Sequence, residues 1–157
     1  MALMKAGQPQ QAKELARKLL DQMTPKTGGF CNNVAWFLAT AEVPAHRDPA
    51  LAIELAKKAV ELDPKSGQYH NTLGIAAYRA GDWKQAISVL EKSVSLSKAG
   101  DSYNWFFRAM AHWQLGHKEE ARSWYDQAVQ WMEKNDPKNE WLGRFRVEAE
   151  KLLELKK

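Results

Sequence analysis

Apolar residues along this chain recur three and four positions apart, in blocks closed off by glycine, aspartate or proline. That spacing predicts amphipathic helices. One block runs through Leu73, Ala77 and Ala80 and stops at Gly81, a residue that takes the left-handed backbone conformation ending a helix without a side-chain clash. Asp82 then caps the next block, with Gln85 three residues on, and Trp83, Ala86, Ile87, Leu90 and Val94 form its stripe. An earlier block obeys the same rules. Asp48–Pro49 starts it, Ala52, Leu55, Ala59 and Leu62 supply the buried positions, and Asp63–Pro64 ends it.

The blocks repeat. Gly74 and Ala109, Gly81 and Gly116, Ala86 and Ala121, and Tyr78 and Trp113 are each 35 residues apart. Ala52 precedes Ala86 by 34 residues, whereas Ala35 precedes Gly74 by 39. The first full unit therefore carries an insertion, which falls at Ala41 to Asp48 around Pro44 as a lengthened turn between its two helices. Small residues have a physical reason in this register. Two helices cross closely where Gly74 or Ala109 faces Ala86 or Ala121, and a larger side chain would force them apart. Further back, Lys5 to Pro9 repeats the turn pattern and Ala12, Ala16 and Leu19 continue as a second helix, so the chain is expected to begin inside a repeat. Asp136–Pro137 is expected to start a last helix with Trp141, Phe145, Ala149 and Leu152 on one side, a capping helix with one face for the stack and one for water. The expected divisions are 1–27 (partial repeat), 28–66, 67–100, 101–135 and 136–157.

Composition adds exclusions. No run of about 18 apolar residues is present, so no membrane span is expected, and the first residues lack a secretory pattern. Cytoplasmic residence is the default. The single cysteine, Cys31, has no internal disulfide partner and reads as a buried structural thiol. The net charge of +4 comes from scattered lysines and arginines, which argues against nucleic acid as the main partner. Seven tryptophans either fill gaps between helices or line a binding surface. No Gly-rich phosphate loop, nucleophile elbow or metal cluster is present. His112 and His117 lie five residues apart across Gly116, which predicts different faces and no metal pair. Neither catalytic residues nor a cofactor are expected.

Three units in register resemble the tetratricopeptide repeat, a motif of about 34 residues. The second offers Leu73, Gly74, Tyr78, Gly81, Trp83, Ala86 and Leu90; the third Trp105, Ala109, Gly116, Ala121, Tyr125 and Ala128; the first Val34, Ala35, Leu38, Ala52, Ala59 and Pro64. The stretch from Asn32 through Trp131 is also similar to repeat regions of large bacterial multidomain proteins, some of which carry a serine/threonine kinase domain; no kinase motif occurs here. The resemblance implies an all-α fold, a right-handed α-solenoid of antiparallel helix pairs with a C-terminal capping helix, acting as a protein-interaction scaffold. It also implies a concave groove lined by the first helix of each unit. The candidate positions are Asn32, Asn33, Trp36 and Thr40; Gln68, Asn71, Thr72, Ile75, Tyr78 and Arg79; and Tyr103, Phe106, Phe107, Met110 and Trp113. One end is amide-rich and the other aromatic, which suits an extended peptide or protein segment. Aromatics at helical spacing serve equally in interhelix packing, and Phe107 and Met110 are read that way. Chaperone-binding members hold a C-terminal carboxylate with Lys, Asn and Arg at places that here are Asn32, Trp36, Thr72, Tyr103 and Phe107, so that clamp is not expected. Two alternatives to groove binding are self-association through the incomplete N-terminal repeat, giving a homo-oligomer, and RNA binding on a basic face.

Overall fold

A computed structural model describes residues 28–97 and 102–155, with the isolated helical positions Gln11, Glu14, Arg17 and Lys18. The expected partial repeat at 1–27 lies otherwise outside the described residues. Among those residues the fold is helical throughout. The helices are α1 (Gly28–Thr40), α2 (Pro49–Leu62), α3 (Gly67–Arg79), α4 (Trp83–Leu96), α5 (Ser102–Gln114), α6 (Lys118–Asn135) and α7 (Glu140–Leu152). α1 packs with α2, α3 with α4 and α5 with α6, and α3 and α5 each also pack on the pair before them.

The caps explain the boundaries. Asp48, Ser66, Asp82 and Asn139 each accept a hydrogen bond from the backbone N–H three residues on, at 3.1–3.3 Å, which satisfies an orphan donor of the first turn. Gly81 and Gly116 have φ of +85° and +83° and reverse the chain after α3 and α5. The insertion at 41–48 contains a 3-10 turn, Pro44–His46. The last helix starts later than the sequence suggests. Asp136 is the C-cap of α6, and Asn139 opens α7. Asp-Pro thus ends a helix at Asp136 as it does at Asp63.

Small residues sit where the pairs cross. A Cβ on Gly74 would lie 2.6 Å from Leu90 Cγ and 3.3 Å from the Ala86 carbonyl oxygen. Ala35, Ala52, Ala86, Ala109 and Ala121 are fully buried. All seven tryptophans are half-buried against the core, so they fill the seams between helices. Cys31 is buried and free, and burial pushes its thiol pKa up, away from the reactive thiolate.

Candidate functional site

The concave face is defined by α1, α3 and α5, the first helices of the three units. α7 does not simply cap the stack. It packs more on α5 than on α6 and reaches across to α1 and α3 through Trp141 and Glu148. Trp141 and Phe145 of α7 meet Trp36 of α1 edge to face, with ring centroids 5.8 and 6.2 Å apart. Phe145 also meets Tyr103 at 6.0 Å and Phe107 at 4.9 Å, and Trp36 meets Tyr103 at 5.6 Å. Such pairs add about 0.5–1.5 kcal/mol each beyond the area they bury. The aromatic end of the groove is therefore filled by the chain's own last helix.

An ionic seal lies beside the aromatics. Both terminal nitrogens of Arg79 donate to Glu148, Nη1 to Oε1 and Nη2 to Oε2, the second at 2.8 Å. Arg79 also stacks over Phe107, its guanidinium carbon 5.0 Å from the ring centre. Three arginines from three elements converge on the C-terminus of α1. Arg79 donates to the Ala39 carbonyl (3.0 Å), Arg144 to Thr40 (3.0 Å) and Arg47 of the inserted turn to Ala41 (2.8 Å). These carbonyls have no partner within the helix, and the guanidiniums also oppose the negative end of its dipole. Burial acts to raise the Glu148 pKa, but hydrogen bonds from Arg79 and the charges of Arg79, Arg47 and Arg144 outweigh it and hold the carboxyl below its ordinary value. Arg47 shifts down, first through burial and then through repulsion by Arg79. Burial and the Glu148 charge push Tyr78 up to about 12, so it stays a neutral phenol.

The sequence-predicted groove residues consequently divide. Trp36, Arg79 and Tyr103 lie under α7. Tyr78 is buried and meets Phe107 at 5.4 Å. Phe106 is fully buried and turned toward Tyr125 of α6, 6.1 Å between centroids, a core contact. Thr72 is buried and donates to the Gln68 carbonyl at 3.2 Å. Trp113 is half-buried, with Lys118 Nζ 3.2 Å from its ring centre. At the amide-rich end Asn33 and Gln68 are exposed, while Asn32 and Asn71 are buried. Asn32 Oδ1 and Asn71 Oδ1, at the same place in successive units, have no hydrogen-bond partner. An unmet buried acceptor costs about 1–3 kcal/mol.

Sequence reasoning missed the residues around α7's outer side. The inserted turn and this outer face enclose an open cleft of about 770 Å³, with Glu42, Pro44 and Arg47 on one wall and Arg144, Val147 and Lys151 on the other. Val43 and Val147 are among the exposed large hydrophobic side chains, Val147 the more so. The signal was Val147 itself, an apolar residue within the otherwise charged side of the last helix. The histidine expectation also needs correcting. His112 and His117 do not diverge: their Nδ1 atoms lie 3.4 Å apart. Gly116 folds the chain back, so the next residue returns to the face it left. No group of three or more potential metal-ligating side chains occurs among the described residues.

Stacked helix pairs with small residues at each crossing define a helical-repeat scaffold. The tetratricopeptide repeat family matches residues 1–67, 44–104 and 71–140. The chain belongs to that family. The solved structures it resembles include the NMR structure of the first TPR domain of the human RPAP3 protein, at 17% identity and a TM-score of 0.59, covering 83% of this chain and 95% of that one. At that identity the likeness concerns the fold alone. No curated protein matches the chain. No described helix is long and apolar enough to cross a membrane.

Proposed function

We propose that the chain is a protein-interaction module whose partner segment binds at the amide-rich end of the concave face, over Asn33 and Gln68 and beside Asn32 and Asn71. The observation carrying this reading is the exposure of the Asn33 and Gln68 amides on the first helices of successive units. An extended segment supplies backbone N–H donors at regular intervals, and amide side chains pair with both groups of a peptide unit. The aromatic end is committed to α7, so it contributes to binding only through the positions of its helices. Screening a peptide array with the wild-type chain and with an Asn33→Ala, Gln68→Ala double variant tests this. Both side chains are exposed, so the variant keeps its helicity. Peptides captured by the wild type are expected to be lost by the variant. Peptides retained by it but lost by Val147→Asp would move the site to the cleft beside α7.

A second reading, self-association, is favoured by Phe30 on α1 and Leu62 at the end of α2, both exposed large hydrophobics. Sedimentation over a range of concentrations decides it: a dimer dissociated by Phe30→Ser supports this reading, and a monomer at all concentrations removes it.

A further inference from the structure

The turn between α5 and α6 holds two imidazoles in a fixed relation. The His117 N–H donates to the His112 carbonyl at 2.9 Å, and the Gly116 N–H donates to the Trp113 carbonyl at 3.0 Å. This is the Schellman closure, which brings the residue after the left-handed glycine against the residue one turn before the helix end. The preceding unit closes the same way, with Asp82 donating to Ala77 at 3.1 Å. There the paired side chains are an aspartate and an alanine; here both are histidines. The sequence separation of five is therefore a contact distance. The two rings are tilted, with centroids 5.6 Å apart and Nδ1 facing Nδ1 at 3.4 Å.

That separation fits a metal bite. Two Zn–N bonds of about 2.05 Å at a tetrahedral angle hold their nitrogens about 3.3 Å apart. We propose that His112 and His117 form a two-ligand site for a divalent transition ion of the zinc class, bound through both Nδ1 atoms. Imidazole suits zinc, copper and nickel. Water fills the other positions, in keeping with the lack of a third protein ligand among the described residues. The bite is set by the backbone, because both histidines are anchored by the turn's own hydrogen bonds. His117 is exposed, and its Nδ1 shares a hydrogen bond with His112 Nδ1, so an ion entering between the rings replaces the proton that lies there. Glu120 and Glu91 draw a cation toward His112, and Arg108 repels it.

Zinc chloride alone is the probe, added to the full chain in a non-chelating buffer, with ring signals of the four histidines followed by NMR. The His112 and His117 signals are expected to shift together and saturate, while those of His46 and His70 stay still. The melting temperature should rise in parallel, because an ion that binds the folded chain stabilises it. His117→Asn is expected to abolish both responses, and Cys31→Ser to leave them intact. Either of two results overturns the proposal: no saturable shift at millimolar zinc, or a shift that survives in His117→Asn. Because His117 is exposed, that variant keeps its fold, and unchanged helicity verifies this.

Discussion

Removing the Glu148 carboxylate tests whether α7 is locked onto the concave face. In the wild type two charge-assisted hydrogen bonds join it to Arg79. At about 1.5–3 kcal/mol each, they set an upper bound of about 3–6 kcal/mol on the loss in Glu148→Ala. Two features reduce it. The Glu148 side chain is 31% exposed, so water replaces part of what is lost. Arg79 also keeps its bond to the Ala39 carbonyl and its stack on Phe107. Against this, the Arg79 side chain is only 7% exposed and would be left with no carboxylate partner. The expected destabilisation is about 2–3 kcal/mol, read from urea unfolding at pH 7. The pH dependence has a definite sign. The folded-state pKa of Glu148 lies below its ordinary value. The stability it contributes is therefore complete above the unfolded-state pKa of about 4.3 and is lost as the pH falls through the folded-state value. The gap between wild type and Glu148→Ala should be full at pH 7 and close progressively below about pH 4. Equal midpoints at pH 7, or a gap of constant size at acid pH, would refute the reasoning.

Other substitutions probe separate parts of the account. Phe145→Ala should cost about 3–5 kcal/mol and remove much of the near-UV circular dichroism, because Phe145 is fully buried among Trp36, Tyr103 and Phe107. Gly74→Ala should destabilise despite the better helix propensity of alanine: overpacking against Leu90 costs about 1–3 kcal/mol and the propensity gain is at most about 1 kcal/mol. A higher melting temperature for that variant would show that the crossing has slack. Gly81→Ala should cost about 1–2 kcal/mol through its φ of +85° alone, since nothing beyond the adjoining residues lies within 4 Å of the added methyl group. Glu133→Ala, which removes the exposed partner of Arg146, should change the urea midpoint little, by less than about 1 kcal/mol.

The repeat was readable because its punctuation is local. Gly81, Gly116, Asp48 and Asp82 each act on the backbone within a few residues, and the small residues at crossings recur with the period of the unit. The insertion at 41–48 could be found by subtraction, from the longer interval between Ala35 and Gly74. The position of α7 could not. An amphipathic stripe through Trp141, Phe145 and Ala149 says that the helix buries one face, but not against which helices. The relevant hint was its width: Leu142 and Leu153 are buried as well, so the helix has neighbours on more than one side. Arg79, a candidate groove position, pairs with Glu148 of the same chain. At the amide-rich end Asn33 and Gln68 face water, while Asn32, Asn71 and Thr72 are buried. The histidine pair was missed because helical spacing was applied across a glycine that reverses the chain. Schellman geometry, applied to the same residues, puts them in contact.

The last helix, α7, lies across the concave face and touches α1. Nuclear Overhauser effects between ring protons of Trp36 and those of Trp141 and Phe145, in samples labelled selectively at tryptophan and phenylalanine, test it most directly. The centroid distances of 5.8 and 6.2 Å predict clear cross-peaks for both pairs. Cross-peaks joining α7 only to α5 and α6, with none to Trp36, would mean that the groove is open and the last helix an ordinary cap.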